Sequence, residues 1–512
     1  MCGVAMATSM PPFFPWAIFF CYLPLWFLVY RSSSLKQVFQ WGWITQFIFA
    51  VIGLHWVWSL VSTPSSQEAF ISWPQGVLFY GMAYLYIPLA LSLGWFLTRT
   101  FRLSLPASFF VQALSLIFGE RLWPTPLPWN LAYGVFWAKW PIYQYADLFG
   151  FDGLSALLLL FQAALGSAFF ISQRRKLIFL AGLALFLGLL HVGGIQREFA
   201  IKELEKQASQ SLRVGLVQAG PFFLKEFKSH DEAILTRDHF NEYLQKSILQ
   251  VQSSVAPLDL IVWPEGAIVS QVNSAKNLKR EVLKNLNTPL LAGSYLQQEG
   301  SVEILSKNVA SLYNEKGELV DSYQKTRLVP FVEHVPLLKS FPWLYRIFGN
   351  DNLFEPGEGP RVLKLPFENK NINLGVQICY ESLFSSLART LALQKADILV
   401  NITNDAWFEA PSEPYQHLIF SLARAIEIRK PIVRAAKTGI SAVMLASGEV
   451  ILESPFDQVW SQAVDVPLMR QHEETTYVKY GNWDLLVWVM ISLVALFYFQ
   501  GLEQREIKPT SN

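Results

Sequence analysis

Leu258-Asp259-Leu260-Ile261-Val262-Trp263-Pro264-Glu265 is the stretch that decides the fold. Apolar side chains fill it almost without a break up to Pro264. Such a run reads as a strand buried on both faces, the pattern of a sheet covered by helices. Pro264 stops it, and a carboxylate stands immediately after. Asn373–Ile378 and Asp397–Ile402 read as further buried strands, and Leu290–Tyr295, Asn308–Tyr313 and Ile432–Ala436 as strands. Leu212–Gln218 alternates as a half-covered strand does. Glu318–Tyr323 follows the turn Asn314-Glu315-Lys316-Gly317, and Ser447-Gly448 turns back the strand Ser441–Leu445. Between them, Asp231–Gln252, Ser274–Asn287 and Glu413–Arg429 have helical spacing. Strands mixed with helices imply a layered α/β domain.

That domain occupies only part of the chain. Of 512 residues, 52% are hydrophobic and 16% charged, and the mean hydropathy is +0.28. A soluble chain carries about 25% charged residues. The deficit is concentrated at the start. The first 194 residues hold nine Lys/Arg and four Asp/Glu, leaving 32 and 36 for the rest. Six stretches there have the length of a bilayer crossing: Pro11–Tyr30, Val38–Val61, Gly76–Thr98, Leu103–Gly119, Gly150–Ser172 and Leu177–Gly194. Pro106 interrupts the fourth. Trp483–Gln500 is a seventh. The N-terminal stretch has no basic region before it and reads as a retained helix rather than a cleaved signal.

Basic loops set the orientation. Arg31 and Lys36, Arg99 and Arg102, and Arg174, Arg175 and Lys176 follow the first, third and fifth stretches. Such loops are cytoplasmic. The chain is therefore expected to leave the membrane outward after Gly194. The expected division is 1–194 for a membrane domain of about six helices and 195–480 for an extracytoplasmic catalytic domain. A transmembrane helix over 481–502 and a cytoplasmic tail over 503–512 complete it.

A net charge of +1 gives no reason to expect a nucleic-acid partner. No glycine-rich phosphate loop is present, and the seven histidines show no ligand spacing, so no cofactor and no metal is expected. Three cysteines exclude a disulfide framework. Two of them, Cys2 and Cys21, lie in or near the membrane stretch. The third, Cys379, directly follows an apolar strand.

Three reactive side chains share that placement. Glu265 follows Trp263-Pro264, Lys325 follows Tyr323-Gln324, and Cys379 follows Gln377-Ile378. Strand ends are where sites form in α/β sheets. A carboxylate can take a thiol proton, and a lysine can stabilise both the thiolate and an oxyanion. Together they are the parts needed for acyl transfer through a thioester. Singly, each has a plain alternative: a core cysteine, a helix-capping glutamate, a solvated hairpin lysine.

The surrounding segments resemble the nitrilase (carbon–nitrogen hydrolase) superfamily. They are Trp263-Pro264-Glu265, the block from Lys325 to Phe331, Ile378-Cys379-Tyr380-Glu381, and Asn404-Asp405-Ala406-Trp407-Phe408. The resemblance implies an α-β-β-α sandwich with Glu265 as general base, Lys325 as oxyanion stabiliser and Cys379 as nucleophile. The membrane helices on either side narrow it to a resemblance to the apolipoprotein N-acyltransferase family. Pro128-Trp129-Asn130, Tyr415-Gln416-His417, Ala425-Ile426-Glu427 and Gly481-Asn482-Trp483 also fit that family. It implies an acyl chain taken from a phospholipid onto Cys379 and passed to the α-amine of a diacylglyceryl-cysteine on an apolipoprotein. It also implies a bacterial inner-membrane location, with the catalytic domain on the periplasmic side. Glu333, Tyr380 and Glu381 carry over as supporting residues, whose plain alternative is hydrogen bonding that holds the loops.

The aromatic segment from Phe341 to Phe348 reads either as a mobile arm contacting lipid or as a loop packed within the domain. Val332 stands where the family usually has Gly, and Phe227 lies near a usual Trp. The family usually has eight membrane helices, so Met1–Met10 is expected to be the tail of a missing or truncated helix, the alternative being a protein that manages with seven. A membrane-anchored amidase or nitrilase is the alternative enzyme. A lipid-binding or transport protein with an inert domain is the alternative outside enzymes.

Overall fold

Apolar strands that alternate with helices fold here into two sheets, and breaks in the apolar helices shape a separate helical unit. In this computed structural model, the described residues are 1–58, 73–218, 243, 245–250, 253–270, 286–297, 306–330, 332–335, 341, 354–368, 370–405, 412–469 and 473–507. Of the helices expected over 231–252 and 274–287, only residues 243, 245–250 and 286–287 are among them; Phe227 and the arm after Phe341 lie outside them. Two compact units divide the chain. One holds Met1–Trp58, Ser72–Glu198 and Lys479–Asn512; the other holds Ser59–Ile71 and Phe199–Val478.

The first unit is helical. Its longer helices are Leu35–Gly53, Tyr86–Thr100, Leu105–Leu122, Ala146–Ala168 and Asp484–Ile507, and Gln173–Lys206 begins in it. Four helices among the described residues are long and apolar enough to cross a membrane: Gly76–Thr100, Pro141–Ala168, Arg175–Lys206 and Asp484–Gly501. On Gln173–Lys206, Leu177, Ile178, Leu185 and Leu189 are exposed, a surface suited to lipid rather than water.

The stretch Pro11–Tyr30 is not one helix. A 3-10 turn covers Trp16–Phe19, and an α-helix begins only at Leu23. Pro11, Pro12 and Pro15 supply no N–H, so a helix cannot run through them. A buried glutamine repairs the break. Gln162 donates to the Ile18 carbonyl at 2.8 Å and accepts from the Tyr22 N–H at 2.9 Å. Gln46 does the same between the helices Trp73–Met82 and Tyr86–Thr100, donating to the Gly81 carbonyl at 2.9 Å and accepting from the Tyr84 N–H at 3.3 Å. In an apolar surrounding an orphaned backbone group costs several kcal/mol, on the order of a lost buried hydrogen bond. Pro106, expected to interrupt its stretch, instead sits in the first turn of Leu105–Leu122, where its missing N–H is harmless. Ser104 caps that helix by accepting from the Ala107 N–H.

In the second unit, β1 (Ser211–Gln218), β2 (Leu260–Val262) and β4 (Leu290–Gln297) are parallel neighbours. β5 (Ser306–Tyr313) and β6 (Leu319–Gln324) extend them as antiparallel neighbours. β3 (Ile268–Ser270) pairs β4, and β13 (Trp460–Pro467) pairs β1 at the far edge. The second sheet has β8 (Lys370–Ile378), β9 (Ile398–Thr403) and β10 (Ile432–Ala436) parallel at its centre. β7 (Val362–Phe367), β11 (Ala442–Met444) and β12 (Val450–Glu453) flank them, in the order β12-β11-β10-β9-β8-β7.

One apolar core joins the two sheets. Val214, Leu216, Leu260 and Val262 enter it from the first sheet, and Leu374, Val376, Val400 and Val433 from the second. Trp263, Ile261 and Tyr243 form a further core on the opposite face of the first sheet. The helices Ser385–Leu393 and Ser412–Ile428 pack on the second sheet. Helical residues 245–250 pack on the far face of the first sheet, where the Trp263 indole donates to the Ser247 hydroxyl at 2.8 Å, so the described layers run α-β-β-α. Strands β7, β12 and β13 are not apolar runs in the sequence. They lie at sheet edges and carry Lys364, Glu453 and Asp465, as edge strands commonly do.

Within the helical unit, Arg121 and Asp484 form a buried two-pronged ion pair, and the Trp488 indole donates to Asp484 at 2.8 Å. Breaking a buried pair by removing one partner costs about 3–5 kcal/mol. Arg121→Met should therefore lower the thermal midpoint in detergent clearly, and Asp484→Leu added to it should recover much of the loss. A single substitution without effect would mean that the pair is solvated.

Candidate active site

Parallel strands in each sheet point their carboxyl ends to one edge, and the reactive side chains follow strands that end there. β6 is antiparallel to β5 and β5 to β4, so β6 ends at the same edge as β2 and β4. Glu265 follows β2, Lys325 follows β6, and Cys379 follows β8. Gly293 on β4 lets the turn at Glu265 come close, since a Cβ there would meet the Glu265 Cα at 2.5 Å.

Glu265 and Lys325 are buried, and Glu333 lies beside them. Lys325 Nζ is 2.7 Å from Glu333 Oε1 and 3.4 Å from Glu265 Oε1. Asn308 donates to Glu265 Oε1 at 2.6 Å, and the Val329 N–H donates to Glu333 Oε2 at 2.8 Å. Glu265 Oε2 is buried with no hydrogen-bond partner among the described residues. Lysine has three N–H donors. Two face the carboxylates, and one is left for a substrate oxygen.

Electrostatics follow from this crowding. Burial raises the Glu265 carboxyl above its ordinary value, against the nearby Lys325 charge, and Glu333 adds to the rise. Burial works against a charged Lys325, but Glu265 and Glu333 outweigh it and hold the ammonium well above the usual lysine range. Burial and then Glu265 push the Cys379 thiol up, with Lys325 opposing. The resting arrangement is thus a thiol, a carboxylate able to take its proton, and a lysine that stays charged.

Cys379 follows β8 with φ 53°, a left-handed conformation that a non-glycine residue adopts only when held there. Glu381 does much of the holding. Its Oε2 accepts from the Ile378 N–H at 2.8 Å. Its Oε1 accepts from the Tyr323 hydroxyl at 2.7 Å, the Thr326 N–H at 2.7 Å, the Thr326 hydroxyl at 2.9 Å and the Arg327 N–H at 3.0 Å. Tyr380 is buried with its ring edge-on to Phe384, centroids 5.0 Å apart. Glu333 therefore lies in the charged cluster, whereas Glu381 ties loops together.

A second buried network lies behind the cysteine. His417 Nε2 is 3.1 Å from the Cys379 carbonyl and 2.9 Å from Ser382 Oγ. Its Nδ1 is 3.1 Å from Asp405 Oδ1, and Arg434 pairs with Asp405 Oδ2 at 2.7 Å. Burial opposes an ionised Asp405, but Arg434 and His417 outweigh it and lower its carboxyl. Gly439, at φ 93°, leaves the space that Asp405 Oδ2 occupies. Asp405, Glu413 and His417 bring ligand-type atoms within 4.8 Å of one another, yet the cation paired with Asp405 is the Arg434 guanidinium. Glu413 and His417 share a helix face four residues apart, the spacing that could have drawn attention to the pair. Sequence reasoning missed Lys437 as well. It follows β10 as Cys379 follows β8, its N–H donates to the Thr403 carbonyl at 2.9 Å, and burial holds its amine down against the charge of Glu265.

Two family models match the chain. Carbon-nitrogen hydrolase covers residues 213–473, and the apolipoprotein N-acyltransferase N-terminal domain covers 2–164. An apolipoprotein N-acyltransferase of Bdellovibrio bacteriovorus is 34% identical over 96% of this chain and 91% of its own length. The chain belongs to the apolipoprotein N-acyltransferase family. A relative of that name from Geobacter metallireducens is 27% identical over 99% of this chain and 95% of its own. Among solved structures, an amidase from Nesterenkonia sp. is 20% identical, with a TM-score of 0.38 over 54% of this chain and 95% of that one.

The raised carboxyl of Glu265 gives a signed expectation. A base works only when ionised, so cysteine reactivity should fall as pH drops toward a raised Glu265 value, above the ordinary 4.5. Glu265→Gln should slow acylation of Cys379 by about 10²–10⁴-fold and remove that acidic limb. Single-turnover rates against pH provide the measurement, and an unchanged limb in the variant would exclude Glu265 as its source.

Proposed function

We propose that Cys379 accepts a fatty acyl chain from a phospholipid and passes it to the α-amine of the N-terminal diacylglyceryl-cysteine of an apolipoprotein. The observation that carries this reading is the unpartnered Glu265 Oε2 beside a doubly paired Lys325 in the first sheet, with Glu381 tying the Lys325 loop to the Cys379 turn of the second. Glu265 takes the Sγ proton. The sulfur attacks the ester carbonyl and a C–S bond forms, while the developing oxyanion takes the remaining N–H of Lys325. The C–O bond then breaks, and the proton held by Glu265 leaves with the lysophospholipid oxygen. In the second half the amine attacks the thioester, Glu265 takes an amine proton, and the C–N bond forms. The C–S bond breaks, and that proton restores the thiol. Glu333 keeps Lys325 charged and in place throughout.

The family and the apolar helices make this a membrane enzyme, as both of its lipid substrates require. We place it in the bacterial inner membrane with the catalytic unit on the periplasmic side, because the short basic loops Arg31–Lys36, Arg99–Arg102 and Arg174–Lys176 are expected in the cytoplasm. A thioester must outlast its wait for an amine, so such a site works best with water excluded.

Purified enzyme incubated with phospholipid vesicles should gain the mass of one acyl chain, and Cys379→Ala should gain none. A diacylglyceryl-cysteinyl lipopeptide should discharge the adduct and itself become heavier by that chain. Absence of the adduct, with ammonia released from small amides, would replace the transferase by an amidase.

A further inference from the structure

The proposed mechanism uses the ester carbonyl of the donor and leaves its headgroup unaccounted for. A phospholipid carries an anionic phosphodiester, separated from the reacting carbonyl by its glycerol carbons and ester oxygens. A site that prefers such a donor over a neutral ester needs a cation near the nucleophile but apart from the oxyanion position. Lys325 cannot serve, since Glu265 and Glu333 engage it.

Arg327 fits that requirement. It stands two residues after Lys325, and Glu381 fixes its backbone by accepting its N–H at 3.0 Å. Its side chain is exposed, and among the described residues its guanidinium makes no ion pair. The guanidinium lies over the Phe384 ring at 5.3 Å, and that ring meets Tyr380 edge-on at 5.0 Å. Tyr380 is the residue directly after the nucleophile. A ladder of three side chains thus leads from the cysteine turn to an exposed positive charge. The charge is felt at the inner rung, where Arg327 opposes the rise that burial imposes on the Tyr380 phenol. Stacking on an aromatic face uses the flat side of a guanidinium and leaves its N–H edges available. Those edges suit two oxygens of a phosphate.

We propose that Arg327, braced on Phe384, binds the phosphodiester of the acyl donor and sets the preference for phospholipids over uncharged acyl esters. The inference rests on the thioester reading above. The thioester itself keeps no phosphate, so Arg327 should matter to the first half-reaction and not to the second.

The test uses the full-length enzyme in detergent micelles with two donors of the same chain length. One is phosphatidylglycerol; the other is a p-nitrophenyl acyl ester, which has no phosphate. Arg327→Met keeps the packing on Phe384 and removes the charge. It should raise KM for the phospholipid about tenfold or more, the scale of one lost charged hydrogen bond. Acylation by the neutral ester and discharge of the adduct by a lipopeptide should stay within about twofold of the parent enzyme, because neither step carries the donor phosphate and the backbone N–H that Glu381 holds is kept. Arg327→Lys should recover part of the phospholipid KM, because it restores the charge but not the fork. Equal losses with both donors would make Arg327 a structural residue and overturn the proposal, as would no loss with either. A parent enzyme that forms no adduct from phospholipid but does from the neutral ester would overturn the donor assignment instead. If Arg327→Met unfolds, the ratio of KM values for the two donors in Arg327→Lys decides alone, an unchanged ratio counting against the proposal.

Discussion

The catalytic arrangement depends on one buried carboxylate, that of Glu381. The proposed nucleophile, Cys379, follows a strand of the second sheet, and Lys325 follows a strand of the first. The β-ladders among the described residues do not fix one relative to the other, because the two sheets meet through apolar side chains that have no direction. Glu381 supplies the missing direction. It accepts from Ile378 on one side and from Tyr323, Thr326 and Arg327 on the other. A charged acceptor makes hydrogen bonds roughly twice as strong as a neutral one. Five donors on one carboxylate also answer the cost of burying its charge. The same contacts set the backbone before Cys379 and after Lys325, so a shift at Glu381 would move both reacting groups together.

The cluster of Glu265, Lys325 and Glu333 follows a different logic. Two carboxylates around one ammonium leave an excess of negative charge in a buried place. Burial and that excess together raise Glu265 and keep Cys379 protonated at rest. A thiolate formed too early would be quenched by solvent or oxidised. In the proposed mechanism, proton transfer at the moment of attack avoids this, and a charged Lys325 is in place to meet the oxyanion. Asp405, His417 and Arg434 then brace the cysteine turn from behind with a buried ion pair, which fixes a geometry rather than adding stability.

The parts legible in the sequence are those written as largely apolar runs. β2, β8, β9 and β10 are such runs because both of their faces are covered, although Gln377, Asn401 and Arg434 interrupt the last three, and Glu265, Cys379, Asn404 and Lys437 follow them closely. That is why Glu265 and Cys379 stand out one strand at a time. Lys437 ends the same kind of run but follows two alanines with no neighbouring motif, so its placement does not show. His417 and Asp405 are visible only as members of family segments. Their meeting requires a helix to pack over the end of β9, a long-range fact that no local pattern encodes. The helical unit is legible as composition but not as geometry. Whether an apolar stretch is one helix or two depends on a glutamine elsewhere: Gln162 for the break before Leu23, Gln46 for the break after Met82.

Those glutamines also show why apolar length alone is a poor guide to a membrane helix. Inside an apolar surrounding, a break in the backbone is tolerated only where a side chain meets the orphaned groups. At Phe20–Tyr22 and at Ala83–Leu85 it is the glutamine that makes stopping the helix energetically tolerable. Pro106 illustrates the converse. It occupies the first turn, where the helix has no N–H partner to lose, and Ser104 satisfies the next donor. The consequence of a proline therefore depends on its distance from the helix start. Such breaks let polar backbone persist among apolar helices without leaving it unpaired.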